Sequence, residues 1–194
     1  MTTRRDFLKT MTMASAGLAL GAGDILANPT FASQRKITDK VKIAYVGIGN
    51  RGEQIIGDFA RTGMVEVVAL CDVDMGAPHT QKVMNQYPKA KRFRDFRQMF
   101  DKAGNEFDAV AIATPDHSHF PISMLALASG KHVYVEKPLA RTFYEGELLM
   151  QAALKRPNLV TQVGNQGHSE ANYFQFKAWM DAGIIKDVTA VTAH

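Results

Sequence analysis

Only one cysteine, Cys71, stands among the 194 residues, so no intrachain disulfide can close and no cysteine-based zinc site can form. Membrane-length apolar runs are scarce. The uncharged stretch from Thr10 to Gly23 has 14 residues, short of the roughly 20 that a spanning helix needs. There is no strong excess of one charge either. Arg4, Arg5 and Lys9 against Asp6 and Asp24 account for one unit of the formal +4, and the remaining chain carries +3. The one dense basic run, Lys89 to Arg97 (KAKRFRDFR), is more simply a strand edge and a solvated helix start than a nucleic-acid patch. No segment is Gln-, Ser- or Pro-rich enough to suggest disorder, and no internal repeat is found. Hydrophobic residues at 46% and charged residues at 22% are ordinary for a globular chain. The length suits one good-sized core, or one domain and a piece of a second.

The first residues read as an address. Thr3-Arg4-Arg5-Asp6-Phe7-Leu8-Lys9 resembles the twin-arginine export motif, and the short Ala-, Gly- and Met-rich stretch behind it reads as a removable signal over residues 1–33. Small residues for cleavage occur at Leu26-Ala27-Asn28 and at Thr30-Phe31-Ala32, neither a good A-x-A site. Such a signal predicts a periplasmic protein exported already folded, with no stable membrane anchor.

From Val41 the pattern becomes short β-branched runs alternating with helix-period segments, as in a parallel sheet covered on both faces. Strands are predicted at Val41 to Val46, Val65 to Cys71, Lys91 to Phe93, Asp108 to Ala113, His132 to Val135 and Leu159 to Val163. Between them, Ile55, Ile56, Phe59 and Ala60 form an apolar helix face ending at Gly63. Pro121 opens a helix with Ile122, Leu125 and Ala126 inward, stopped by Gly130. Thr142 and Glu145 make a capping box for a helix that ends before Pro157. The expected fold class is α/β: a Rossmann-type, doubly wound parallel sheet over residues 40–165. Residues 166–194, with a helix from about 170 to 182 and a strand from Val188 to Ala193, are expected to be only the beginning of a second, α+β domain.

The chemistry starts at Gly47-Ile48-Gly49-Asn50-Arg51-Gly52. A G-x-G-x-x-G is weak alone, but this one follows an apolar strand, precedes an amphipathic helix, and is followed by Asp72 at the end of the next strand, twenty residues after Gly52. Gly47 permits the tight turn, Gly49 lets backbone approach a pyrophosphate, and Gly52 lets the helix pack on the strand. The phosphates would sit at the helix N-terminus with Asn50 and Arg51. Asp72 would accept hydrogen bonds from the adenosine ribose and, with Asp74, repel a 2′-phosphate. NAD is therefore the expected cofactor, with NADP disfavoured.

Two further motifs lie at strand ends, where ligands bind in such sheets: Ala113-Thr114-Pro115-Asp116-His117-Ser118-His119 and Glu136-Lys137-Pro138. Hydride transfer from an alcohol needs a group to take the hydroxyl proton, and Lys137 is the candidate. His117 and His119, with His168 and Glu136, are a weak metal set, so cofactor or substrate contact is the simpler reading and no metal is expected. In order and spacing the three motifs resemble the Gfo/Idh/MocA oxidoreductases, named for glucose-fructose oxidoreductase and inositol dehydrogenase. The resemblance runs from Lys40 nearly to the end, and Thr161 to Ser169 looks like an exported subgroup. It implies the same role for Lys137, with Glu136 beside the nicotinamide and Thr114, Pro115 and His119 along the cofactor's inner half. It also implies oxidation of a hydroxyl on a sugar, cyclitol or glycoside, with redox-neutral glycoside cleavage through transient oxidation as the alternative. The family's second domain supplies a substrate wall, an acid/base histidine and the sheet through which homo-oligomers form. No residue here matches that histidine, so the chain is expected to bind NAD without turning over substrate.

Overall fold

The computed structural model describes residues 40–165, 167 and 170–192. The export signal expected over residues 1–33 and the metal-set member His168 lie outside them. Six strands, β1 (Val41–Val46), β2 (Val65–Cys71), β3 (Lys91–Phe93), β4 (Ala109–Ile112), β5 (His132–Val135) and β6 (Thr161–Val163), pair in parallel in the order β3-β2-β1-β4-β5-β6. Between them run α1 (Arg51–Arg61), α2 (Pro78–Gln86), α3 (Phe96–Ala103), α4 (His119–Ala128) and α5 (Phe143–Leu154), with α6 (Ala171–Asp181) following β6.

Successive strand side chains point to opposite faces, and the core divides accordingly. Ile43, Tyr45, Leu70 and Ala111 pack with Ile55 and Ile56 of α1 and Val83 and Met84 of α2. Ala44, Val46, Val110 and Ile112 face the other way, onto Met99 and Phe100 of α3, Ile122 and Ala126 of α4, and Leu149 of α5. This two-sided burial is why the central strands read as apolar runs rather than as alternations. The expected helix boundaries hold: Gly63 and Gly130, both at φ +70°, follow α1 and α4. Thr142 and Glu145 form the capping box of α5, and Pro121 sits in the first turn of α4. The basic run divides as read, into the edge strand β3 and the start of α3, capped by the Asp95 carboxylate on the Arg97 N–H at 2.9 Å.

Three boundaries differ from expectation. β4 is shorter by one residue at each end. β6 begins at Thr161 rather than Leu159, because the Val160 N–H donates to the His132 ring nitrogen at 2.9 Å. The strand expected at Val188 to Ala193 does not form over residues 188–192, and Ala193 is outside the described residues. A β-branched run becomes a strand only when a neighbour takes its N–H and C=O groups, and among the described residues the sheet ends at β6. The preceding helix, α6, does form.

Candidate functional site

Strand order reverses between β1 and β4, so the loops after them diverge and leave a crevice at the carboxyl end of the sheet. A cavity of about 630 Å³ opens there. Its wall includes Gly47, Gly49 and Asn50 after β1, Cys71, Asp72 and Asp74 around the end of β2, Arg94 and Arg97 after β3, and Thr114 and Pro115 after β4.

Glycine is required in this loop by close approach. A Cβ on Gly47 would stand 2.5 Å from the Ala113 carbonyl oxygen, and one on Gly52 would stand 2.0 Å from the Gly47 carbonyl oxygen. Gly47 thus seats the loop against β4, and Gly52 seats α1 against the loop. At Gly49 a Cβ would meet the His79 ring at 2.2 Å, so the space expected for a pyrophosphate also receives an imidazole from α2. Asn50 turns the chain into α1 at φ +48°, a conformation that costs a non-glycine residue about a kcal/mol and is found where surrounding structure enforces it.

Asp72 organises this loop. One carboxylate oxygen accepts the Ile48 N–H at 2.9 Å and the other accepts the Asp74 N–H at 3.0 Å. Each oxygen retains acceptor capacity toward the cavity. Across the opening, the Thr114 hydroxyl is buried and finds no partner among the described residues.

A second group of predicted residues gathers over the ends of β4 and β5, outside the cavity lining. Glu136 is buried, and its Oε1 accepts from Arg51 Nη2 at 3.0 Å and from the Tyr134 hydroxyl at 3.2 Å. Burial works against the Arg51 charge, but the hydrogen bond and charge of Glu136 outweigh it and raise its pKa. For Tyr134, burial first and then the charge and hydrogen bond of Glu136 push the pKa upward. Lys137 itself is exposed. His119, expected along the cofactor's inner half, is buried instead. Its Nδ1 faces the Pro138 carbonyl at 2.6 Å and its Nε2 the Thr114 carbonyl at 2.8 Å, so it ties together the two loops that follow β4 and β5. Among the described residues, no three His, Cys, Asp or Glu side chains gather as metal ligands.

The residues that sequence reasoning missed are His79, Arg94 and Arg97, all in the cavity wall. Arg94 reaches the Val73 carbonyl at 3.5 Å, and the Arg97 guanidinium lies over the Phe96 ring, 4.4 Å from its centroid. The available signals were Pro78, which starts a helix just after Asp72-Val73-Asp74, and the Asp95 cap, which places the basic run at a strand's carboxyl end.

Comparison with known proteins agrees with this geometry. Residues 41–164 match the model of the GFO_IDH_MocA family, described as an oxidoreductase family with an NAD-binding Rossmann fold. Inositol 2-dehydrogenase of Salmonella typhimurium is 30% identical over 147 residues, covering 75% of this chain and 43% of that protein. Alpha-N-acetylgalactosaminidase of Shewanella oneidensis is 29% identical over 161 residues, covering 73% and 35%. The solved structure of scyllo-inositol dehydrogenase from Lactobacillus casei with bound NAD(H) and scyllo-inositol superimposes with a TM-score of 0.67 at 28% identity, covering 78% of this chain and 44% of that one. The chain spans less than half the length of these relatives. With the glycine loop, the switch-point cavity and the family match over most of its residues, the chain belongs to the Gfo/Idh/MocA oxidoreductases and carries their NAD-binding Rossmann domain.

Proposed function

We propose that the protein is an NAD-dependent oxidoreductase that transfers hydride from a hydroxyl-bearing carbon of a sugar, cyclitol or glycoside. The observation that carries this reading is the Asp72 carboxylate, which grips the glycine loop through the Ile48 N–H while facing the switch-point cavity. The residues present fit a dinucleotide. The backbone N–H groups of the Gly47 to Gly52 loop and of the first turn of α1, which Asn50 leads into, would hold the diphosphate, while the Arg51 side chain is turned away to Glu136 at 3.0 Å. Asp72 would take the adenosine ribose hydroxyls, and the buried Thr114 hydroxyl supplies a further polar contact beside Pro115. Asp74 and Asp95 share the wall with Asp72. Three carboxylates against Arg94 and Arg97 favour NAD over a cofactor carrying a further phosphate.

When bound, the nicotinamide supplies the hydride acceptor. The Lys137 amine would accept the hydrogen bond of the substrate hydroxyl and take up its proton. Glu136, Pro138 and His119 hold the segment on which Lys137 stands. The test is calorimetric titration of the wild type and Asp72→Ala with NAD and NADP. Preference for NAD by about tenfold or more is expected in the wild type, narrowing in the variant, since one such charge contact is worth about a factor of ten. Equal wild-type affinities overturn the assignment of Asp72.

The likeness to the alpha-N-acetylgalactosaminidase supports a second reading, in which bound NAD is used for a transient oxidation that permits glycoside cleavage. Stoichiometric reduction of exchangeable NAD favours the first reading, and retained NAD without net reduction favours the second. Residues 1–33 belong to the same proposal as a twin-arginine address to the periplasm, as does homo-oligomerisation through a second domain.

A further inference from the structure

Two buried polar atoms that find no partner among the described residues belong to the same ion pair: Arg51 Nε and Glu136 Oε2. The contact that exists uses one nitrogen and one oxygen, at 3.0 Å. A two-pronged bridge, with Nε and a terminal nitrogen of Arg51 on the two Glu136 oxygens, would satisfy both and is the stronger form of this pair. Its surroundings are arranged around it. Gln54 takes the Arg51 Nη1 at 3.1 Å, and the Tyr134 hydroxyl shares Glu136 Oε1. Gly164, at the end of β6, leaves the necessary room: a Cβ there would stand 2.5 Å from the Tyr134 hydroxyl and 2.6 Å from Glu136 Oε1.

The ends of this pair lie in different places. Arg51 is in the first turn of α1, directly on the glycine loop. Glu136 immediately precedes Lys137, and the carbonyl of Pro138, on the other side of the lysine, is held by His119. The chain on both sides of Lys137 is thus fixed, at Glu136 by the diphosphate loop and at Pro138 by the loop after β4.

We propose that the Arg51–Glu136 pair, seated by Gly164 and Tyr134, is a positioning strut that transmits occupancy of the glycine loop to Lys137. Arg51 acts here as a positioning residue, not a phosphate ligand. An anion on the loop orders the first turn of α1, the pair closes into its two-pronged form, and the segment bearing Lys137 is held in place before substrate arrives. The inference rests on the reading of the glycine loop as a dinucleotide site.

ADP separates transmission from direct cover, because it reaches the adenosine and diphosphate positions but has no nicotinamide to shield the lysine. The experiment measures ADP affinity by calorimetry, together with the acetylation rate of Lys137 by acetic anhydride, read by peptide mass spectrometry with and without ADP. In the wild type, ADP is expected to slow Lys137 acetylation about fivefold, a typical coupling between sites. In Arg51→Met and Gly164→Ala, ADP still binds within about threefold of wild type while its effect on Lys137 falls below about twofold, and Arg51→Lys recovers part of the effect. Should Gly164→Ala fail to fold, the Arg51 variants decide. An undiminished ADP effect on Lys137 in Arg51→Met overturns the strut, as does ADP binding to the wild type without any effect on Lys137. Failure of the wild type to bind either ADP or NAD overturns the cofactor reading itself, and the strut with it.

Discussion

Cys71 ends β2 against the cavity, 2% exposed. Burial first, then the negative charges of Asp72 and Asp95, push its thiol from the ordinary 9.0 up to about 12. The native state therefore holds this proton more tightly than the unfolded chain does. That contribution to stability is fully present below pH 9.0 and is lost as pH rises toward about 12. Tyr45 and Tyr134 are shifted in the same direction, so the alkaline loss is shared. Urea midpoints measured between about pH 8 and about pH 10.5 are expected to fall in the wild type and to fall less steeply in Cys71→Ala. An equally steep fall in the variant would mean that the thiol carries none of it. At this scale the sequence was only partly legible. Asp72 and Asn50, picked out by the glycine-motif spacing, and Thr114 and Pro115, picked out by the family resemblance, all stand in the cavity wall, but the ring nitrogens of His119 meet carbonyls, and Arg51 and Glu136 meet each other. Pairings across 85 residues of chain leave no mark in local pattern.

Helix ends are a different matter, because caps act within three or four residues. The Thr142 hydroxyl accepts the Glu145 N–H at 3.2 Å, and the Glu145 carboxylate returns to the N–H groups of Thr142 at 3.1 Å and Arg141 at 3.0 Å. Thr142→Ala removes the cap's acceptor and should lower unfolding free energy by about 1 kcal/mol, measurable as a shift in urea midpoint with unchanged slope. Unchanged stability in that variant would show that the end of α5 is held by its packing alone. The same locality explains why α1, α4 and α5 were legible from Gly63, Gly130 and Thr142, whereas α2 was not read. Its N-cap position, Ala77, makes no side-chain cap, and the helix is held by Val83 and Met84 in the core and by Lys82 paired with Glu53 of α1. The residues from Val188 on show the converse: strand propensity without a neighbouring strand produced none.

For the whole molecule, the strand order creates the site. β1 and β4 are adjacent although two strands lie between them in sequence, and their diverging loops bring residues near positions 47, 72, 95 and 114 to one cavity. On α6 the aromatic side chains Tyr173, Phe174, Phe176 and Trp179 are exposed, so this helix is formed without burying its apolar residues. The proposed export would also act on the molecule as a whole, since the twin-arginine route carries folded proteins. Replacing Arg4 and Arg5 with lysine should leave the protein in the cytoplasmic fraction, with NAD affinity unchanged. Periplasmic recovery of that variant at the wild-type level would refute the proposed address.

Periodicity, glycine spacing and caps by themselves determined the α/β class, all six strands to within two residues at either end, the dinucleotide loop and its acidic partner, since each rests on interactions along a few residues of chain or on a repeat of two or 3.6. The tertiary structure alone decided that Asp72 holds the loop it serves, that His79 and Arg97 line the cavity, that His119 ties two loops, and that Arg51 reaches Glu136. Those outcomes depend on which strand ends become neighbours in the sheet, and that is settled by burying both of its faces at once.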